Sequence, residues 1–191
     1  MSILQTPPPA KLVCSIFSQQ EGLINRVVDA LHGTYGNTDF KSPVIPFDIT
    51  SYYEPEFGSS LKRIFISFAE LVSQDALVDI KYVTNKLEQE FSLEAKRQAN
   101  IDPGILTAER LVLATGKNFS HRIYLGRGVF ANLTLIYRKD SFMTLPWTYP
   151  DYASKEVIVF WNNVRKAYLK VISETIARNS KITSGVSTNQ T

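Results

Sequence analysis

The order of hydrophobic patterns in its first hundred residues constrains this chain most. Short apolar runs of strand length alternate with two longer stretches of helical spacing. Residues 12–17, Leu-Val-Cys-Ser-Ile-Phe, read as a buried strand. Residues 20–35 carry Leu23, Val27, Val28, Leu31 and Tyr35 at amphipathic-helix spacing, and Gly33 and Gly36 supply stop signals. Residues 43–53 read as a second strand, which Pro46 marks as an edge or irregular one. Residues 61–68 read as a third. Ser73, followed by Asp75, suits a helix N-cap, and residues 74–91 repeat Leu77, Ile80, Val83, Thr84, Leu87 and Phe91 at helical spacing. A further strand near residues 97–101 completes the order. The expected fold class is α+β, with a ferredoxin-like, split βαβ core.

Beyond residue 106 the pattern turns β-rich. Residues 107–114 read as a short helix. Residues 119–125 and 129–137 flank Gly126-Arg127-Gly128 and read as an added β-hairpin. An aromatic, proline-rich loop, residues 144–152, precedes a C-terminal helix that runs from Ser154 to about residue 177 and carries Val157, Phe160, Trp161, Val164 and Tyr168. Residues 1–10, with Pro7-Pro8-Pro9, are expected to be an extended lead-in, residues 11–177 one domain, and residues 178–191 a polar flexible tail. A chain of 191 residues is long enough for such a domain to hold its own core.

Composition removes several classes of function. One cysteine excludes an intrachain disulfide and a Cys-rich zinc site, and Cys14 reads as a small core hydrophobe. No apolar run reaches a membrane-spanning length, and the first residues lack the basic start and apolar stretch of a signal peptide, so the cytoplasm is the expected location. A net charge of +3 permits a phosphate-bearing partner, but the basic stripe of a dedicated nucleic-acid binder is missing. Nucleic acid is thus a disfavoured partner, though not an excluded one.

Four constellations could carry chemistry. In residues 46–56, Asp48, Thr50 and Tyr52 would share one face of a strand beside Tyr53, and Glu54 and Glu56 follow as candidate ligands for a divalent metal such as Mg²⁺. Asn100-Ile-Asp-Pro-Gly104 would present Asp102 at a turn. Residues 117–128 bring Lys117, His121 and Arg122 near a glycine-bearing turn, where cations could hold phosphate and His121 could act as acid or base. Trp147 and Tyr149, in the proline-held loop, could stack on a base or sugar. Each has a plain structural counterpart: a solvated strand face, a satisfied turn, a hairpin, and rings that cap the core.

The motifs taken together resemble a bacterial family catalogued only as domain of unknown function 4416. They are Pro-Phe-Asp-Ile-Thr-Ser-Tyr-Tyr-Glu-Pro-Glu-Phe-Gly, Leu-Lys-Arg-Ile-Phe-Ile-Ser-Phe, Asn-Ile-Asp-Pro-Gly-Ile-Leu-Thr, the stretch from Leu111 to Gly126, and Leu-Pro-Trp-Thr-Tyr-Pro-Asp-Tyr. The likeness runs from about Lys11 to Tyr168. It implies a bacterial cytoplasmic protein and no established activity. Some members carry a GTP-binding label, but Gly116-Lys117 here lacks the preceding glycine and following hydroxyl of a phosphate loop.

Two functions are expected from different classes. One is a site for a small phosphorylated or nucleotide-like ligand, with catalysis left open. Asp48, Asp102 and His121 are its candidate catalytic residues. Thr50, Tyr52, Tyr53, Arg63, Lys117, Arg122, Trp147 and Tyr149 are its ligand-binding residues. The alternative is a non-enzymatic module that docks a protein or single-stranded nucleic acid on Tyr52, Tyr53, Trp147, Tyr149 and Tyr152.

Overall fold

The computed structural model describes residues 2–47 and 53–186, with side chains as far as Thr175. Its central strand is β1, Ala10–Ser18, which pairs antiparallel with β4 (Leu61–Val72) on one side and with β7 (Asn100–Leu106) on the other. Both faces of β1 are covered too. All of its residues are buried, which is why it reads as a near-continuous apolar run rather than an alternation.

Helix α1 (Glu21–Tyr35) joins β1 to β2 (Thr38–Lys41), which lies on the far side of β4. A 3-10 turn, Gln74–Ala76, opens onto a second long helix, Leu77–Glu90, which carries the chain from β4 to β7 on the far side of β1. Each helix thus crosses over a strand inserted between the two it joins, giving the order β7-β1-β4-β2. From β7 the sheet continues through β8 (Arg110–Thr115) to β10 (Val129–Arg138). The outer edge of β10 is shared by β9 (Arg122–Gly126) over its first half and β11 (Ser141–Thr144) over its second. With β3 (Ile45–Phe47) on β4, this makes a nine-stranded antiparallel sheet among the described residues. Short helix α2 (Glu54–Phe57) follows β3, so the helix after β4 is α3. Strands β5 (Ser92–Leu93) and β6 (Lys96–Arg97) form a small separate hairpin, and α4 spans Lys155–Val186. The architecture is therefore α+β, with the added hairpin and the C-terminal helix.

Helices α1 and α3 cover one sheet face through Leu12, Cys14, Ile16, Ile64, Ile66 and Ile101. On the opposite face Trp161, Val164 and Tyr168 of α4 pack against Val13, Phe65, Leu106, Leu111 and Leu135. Cys14 is fully buried, as its place in an apolar run suggested.

Several elements differ from the sequence-based expectation. Residues 107–114 are not helical. Thr107 and Arg110 close a tight turn, with Thr107 N donating to Arg110 O at 2.9 Å, and Leu111 and Leu113 then point inward along β8. Of the strand expected over residues 43–53, the described residues show strand at Ile45–Phe47, and residues 48–52 lie outside them. Tyr53 already has helical backbone angles at the start of α2, and Pro46 sits, as expected, in a strand paired on one edge alone. Strand β2, Thr-Asp-Phe-Lys, has no apolar alternation to mark it. The β5–β6 hairpin turns through Glu94 (φ 49°) and Ala95 (φ 61°), residues that do not signal a left-handed turn. Ser73 makes no backbone capping bond; its hydroxyl bonds the Asp75 carboxylate. Helix α4 continues past the end expected near residue 177. No described helix is long and apolar enough to cross a membrane.

Candidate functional site

Helix α4 covers only part of its sheet face. Further along the same strands most inward positions turn polar, with Phe17 and Leu113 as apolar exceptions. On β1, Val13 gives way to Ser15 and Phe17. On β7, Leu106 and Gly104 give way to Asp102 and Asn100. On β4, Phe65 is followed toward the strand start by Arg63. The register places Ser15 between Phe65 and Asp102, and Phe17 between Arg63 and Asn100. These six side chains form one continuous patch, since cross-strand partners share a face.

The loop between β11 and α4 runs over this patch. It starts at the outer edge of β10, where Trp147 Nε1 donates to Leu133 O at 2.7 Å and Thr148 Oγ1 to Thr134 O at 2.6 Å. It ends over β4, where Asp151 pairs with Arg63 and Tyr152 packs edge-on against Phe65 with centroids 4.9 Å apart. Arg63 and Asp151 are both buried. The guanidinium also lies 3.5 Å from the Phe47 ring centroid and 5.0 Å from that of Phe17. Burial lowers the Arg63 pKa, and Tyr152, Asp102, Tyr53 and Tyr149 stand near enough to oppose that shift. Asp102 is half-buried, accepts a hydrogen bond from Asn100 Nδ2 at 2.9 Å, and makes no ion pair among the described residues.

Three buried polar atoms in the patch have no hydrogen-bond partner among the described residues: Ser15 Oγ, Arg63 Nε and Tyr152 OH. Tyr152 is 2% exposed, and burial pushes its phenol well above the ordinary range. Arg63 and, more weakly, the facing Ser15 hydroxyl pull against that, but the two hydroxyls make no well-aligned bond.

At the rim, His121 Nε2 and Asn132 Oδ1 are 2.9 Å apart, and the His121 ring stacks on Trp147 at 4.8 Å with 8° between planes. Arg122 donates from Nε to Asn132 Oδ1 at 3.1 Å, from one terminal nitrogen to Lys117 O at 2.8 Å, and from the other to the Tyr149 hydroxyl at 3.0 Å. All three partners are neutral. Beside α2, Arg97 holds both oxygens of Glu56, at 2.6 and 2.8 Å, and reaches Glu88 at 2.8 Å and Asn100 at 3.1 Å. Its hydrogen bond holds Glu56 below the ordinary carboxylate range, with Lys117 adding to the effect; burial raises Glu88. Glu88 Oε1 accepts from Ile101 N at 2.6 Å and Lys81 Nζ donates to Ile101 O at 3.1 Å. Two α3 side chains thus serve the edge of β7 where β8 no longer pairs with it.

The sequence-derived candidates fall into three groups. Arg63, Asp102, Tyr53 and Tyr149 gather around the patch, with Arg122 and Trp147 at its rim. Lys117 is exposed near Glu56. Asp48, Thr50 and Tyr52 lie outside the described residues. Glu56 is committed to Arg97, Glu54 lines an open depression of about 330 Å³ beside α2, and among the described residues no group of three or more His, Cys, Asp or Glu is placed to hold a metal. His121 touches Asn132 and Trp147, so it positions the loop. The aromatic docking surface loses Tyr152 to the core, and Tyr53 packs against Phe17 at 4.8 Å. The Gly126-Arg127-Gly128 turn uses left-handed angles (φ 110°, 51° and 77°) and docks on α3 through Arg127, Asp79 and Tyr82 rather than opening as an anion loop.

Sequence reasoning passed over Ser15, Asn132, Asp151 and Arg97 as site residues. A signal existed for the first two: a polar residue inside an apolar strand, as in Leu-Val-Cys-Ser-Ile-Phe and Ala-Asn-Leu-Thr-Leu-Ile. Asp151 meets Arg63 across 88 residues of sequence, and Arg97 meets Glu56 across 41. No curated protein and no solved structure matched the chain. A family model matched residues 8–168, from the strand lead-in through the α4 residues that close the core, and by that match the chain belongs to the family described as Domain of unknown function (DUF4416).

Proposed function

We propose that the polar half of this sheet face binds a small phosphorylated or nucleotide-like molecule, with the phosphate at the Arg122 rim. One observation carries the proposal. Arg122 is fixed by three hydrogen bonds to neutral acceptors, and among the described residues no carboxylate lies within ion-pairing distance of it. A guanidinium held rigid and left uncompensated is a pre-organised anion site, and its planar fork suits phosphate. Lys117, exposed on the same rim, adds positive charge. Tyr149 bonds Arg122 and also lies near Arg63, so it links the rim to the interior of the patch. Asn132, which holds Arg122, is cross-strand from Leu113, and Leu113 from Gly104 on β7. Two strand spacings, about 10 Å, therefore separate Asn132 from the β7 strand that carries Asp102, a span that a sugar phosphate or nucleotide can bridge, and the strands of Ser15 and Arg63 lie one and two further on.

Binding is the activity proposed; Asp102 is the carboxylate placed to take part should chemistry follow. A thermal-shift screen against nucleotides, sugar phosphates and divalent metals tests it. A ligand at a hundred times its Kd should stabilise the protein by about 2.7 kcal/mol. The shift should disappear in Arg122→Ala. A screen without a hit, or a hit indifferent to Arg122, would remove the proposal.

A further inference from the structure

We infer that the floor of this site takes an uncharged group that both donates and accepts hydrogen bonds, a sugar hydroxyl or an amide-type base edge, and that it excludes the phosphate; the inference rests on the phosphate site proposed above. Ser15 is 1% exposed, Arg63 4% and Tyr152 2%, and Ser15 Oγ, Arg63 Nε and Tyr152 OH lack partners among the described residues. Buried polar groups are almost always satisfied, so three orphans side by side call for a polar guest. Beside them stands Asp102, with one oxygen on Asn100 and no ion pair among the described residues. The floor therefore offers Arg63 Nε and the two facing hydroxyls of Ser15 and Tyr152 around one carboxylate acceptor.

Charge selects among guests. One guanidinium, Arg63, faces two carboxylates: Asp151, which pairs with it, and Asp102, near enough to raise its pKa. A phosphate there would meet an excess of negative charge in a buried setting, where like charges cost most. A hydroxyl or an amide edge fits instead. Its oxygen accepts from Arg63, Tyr152 or Ser15, and its hydrogen goes to Asp102. The Phe17, Phe47 and Tyr53 rings beside Arg63 supply an apolar wall for a sugar or base. Arg122 leaves the phosphate facing outward.

Calorimetric titration of the full chain with inorganic phosphate, ribose 5-phosphate, uridine monophosphate, inosine monophosphate and 2′,3′-dideoxyuridine monophosphate tests this, in wild type and Asp102→Asn. The expected result is that an organic phosphate binds far more tightly than inorganic phosphate and loses about ten- to a hundredfold in affinity in D102N, the loss typical of a hydrogen bond to a charged group. Ribose 5-phosphate binding with loss in the dideoxy compound assigns the floor to sugar hydroxyls. Retention in the dideoxy compound assigns it to the base edge. Unchanged or tighter binding in D102N would place the phosphate at the floor and overturn the inference while the phosphate site survives. No binding by any probe would overturn both. Should D102N melt well below wild type, Tyr152→Phe keeps the ring and removes the hydroxyl. A severalfold loss of affinity supports the inference, and no change overturns it.

Discussion

The two halves of the sheet face under α4 use the same strands and the same alternation, yet they are built from different chemistry. In the covered half, Val13, Phe65, Leu106, Leu111 and Leu135 meet Trp161, Val164 and Tyr168, with hydrocarbon on both sides. In the other half the positions that continue these rows are Ser15, Arg63, Asp102, Asn100 and Asn132. Packing alone does not ask for this change. A larger apolar element could have covered the whole face, and each buried polar group costs free energy unless it is matched. The covered half is what folding requires. The polar half is held in shape by loop 145–152, which returns Asp151 to Arg63, and it keeps groups that have no partner among the described residues.

The largest expected effect is at the joint between the halves. Asp151→Ala leaves the buried Arg63 guanidinium without its partner and should cost about 4 kcal/mol. Arg63→Met added to Asp151→Ala should recover much of that loss, because an apolar side chain of similar volume needs no counter-charge. Urea unfolding of the two variants and the double mutant measures the coupling. An Asp151→Ala loss below about 1 kcal/mol would mean that Arg63 reaches water, and the polar half would then be ordinary surface.

Next in size is the covered half. Leu111→Ala, in a row packed by α4, should cost about 3 kcal/mol by lost transfer energy and an unfilled cavity. It should leave ligand binding unchanged, since Leu111 lies in the apolar row under α4 and is cross-strand from Leu135. A ligand response that fell along with stability would show that the halves are not separable.

The same contrast explains what could be read from the sequence. The covered half and the helical face were legible because periodicity reports burial: β1, α1, α3, β4 and the α4 residues Val157, Trp161, Val164 and Tyr168 stand out by spacing alone. Strand β8 was mistaken for a helix because Leu111 and Leu113 span too few residues to separate the two periods. Strand β2 was missed because its four residues carry no pattern. Around the polar patch, Arg63, Asp102, Arg122, Trp147 and Tyr149 are legible as chemistry-bearing types in dense local motifs. Their relation was not visible. The Arg63–Asp151 pair, the Arg97–Glu56 pair and the adjacency of Ser15 to Tyr152 all depend on strand register and on a loop that crosses the sheet. Glu56 looked like a metal ligand until Arg97, from a hairpin with no sequence signature, took both of its oxygens.

The smallest expected effect is of opposite sign and separates the halves most sharply. Ser15→Ala removes a hydroxyl that is buried, 1% exposed and without a partner among the described residues. In a position that served only the fold, deleting one polar atom from the centre of β1 would leave a defect. Here it removes a group whose desolvation is uncompensated in the free protein, so the ligand-free variant should be more stable by about 1 kcal/mol, a rise in Tm of about 2–4 °C for a chain of this size. If the hydroxyl is kept for a guest, the gain carries a loss: the shift produced by a bound organic phosphate should shrink in the same variant, as expected where stability and function compete for one position. A Ser15→Ala protein less stable than wild type would show that Tyr152 or another group already satisfies the hydroxyl, and the floor would then have one donor fewer to offer a ligand.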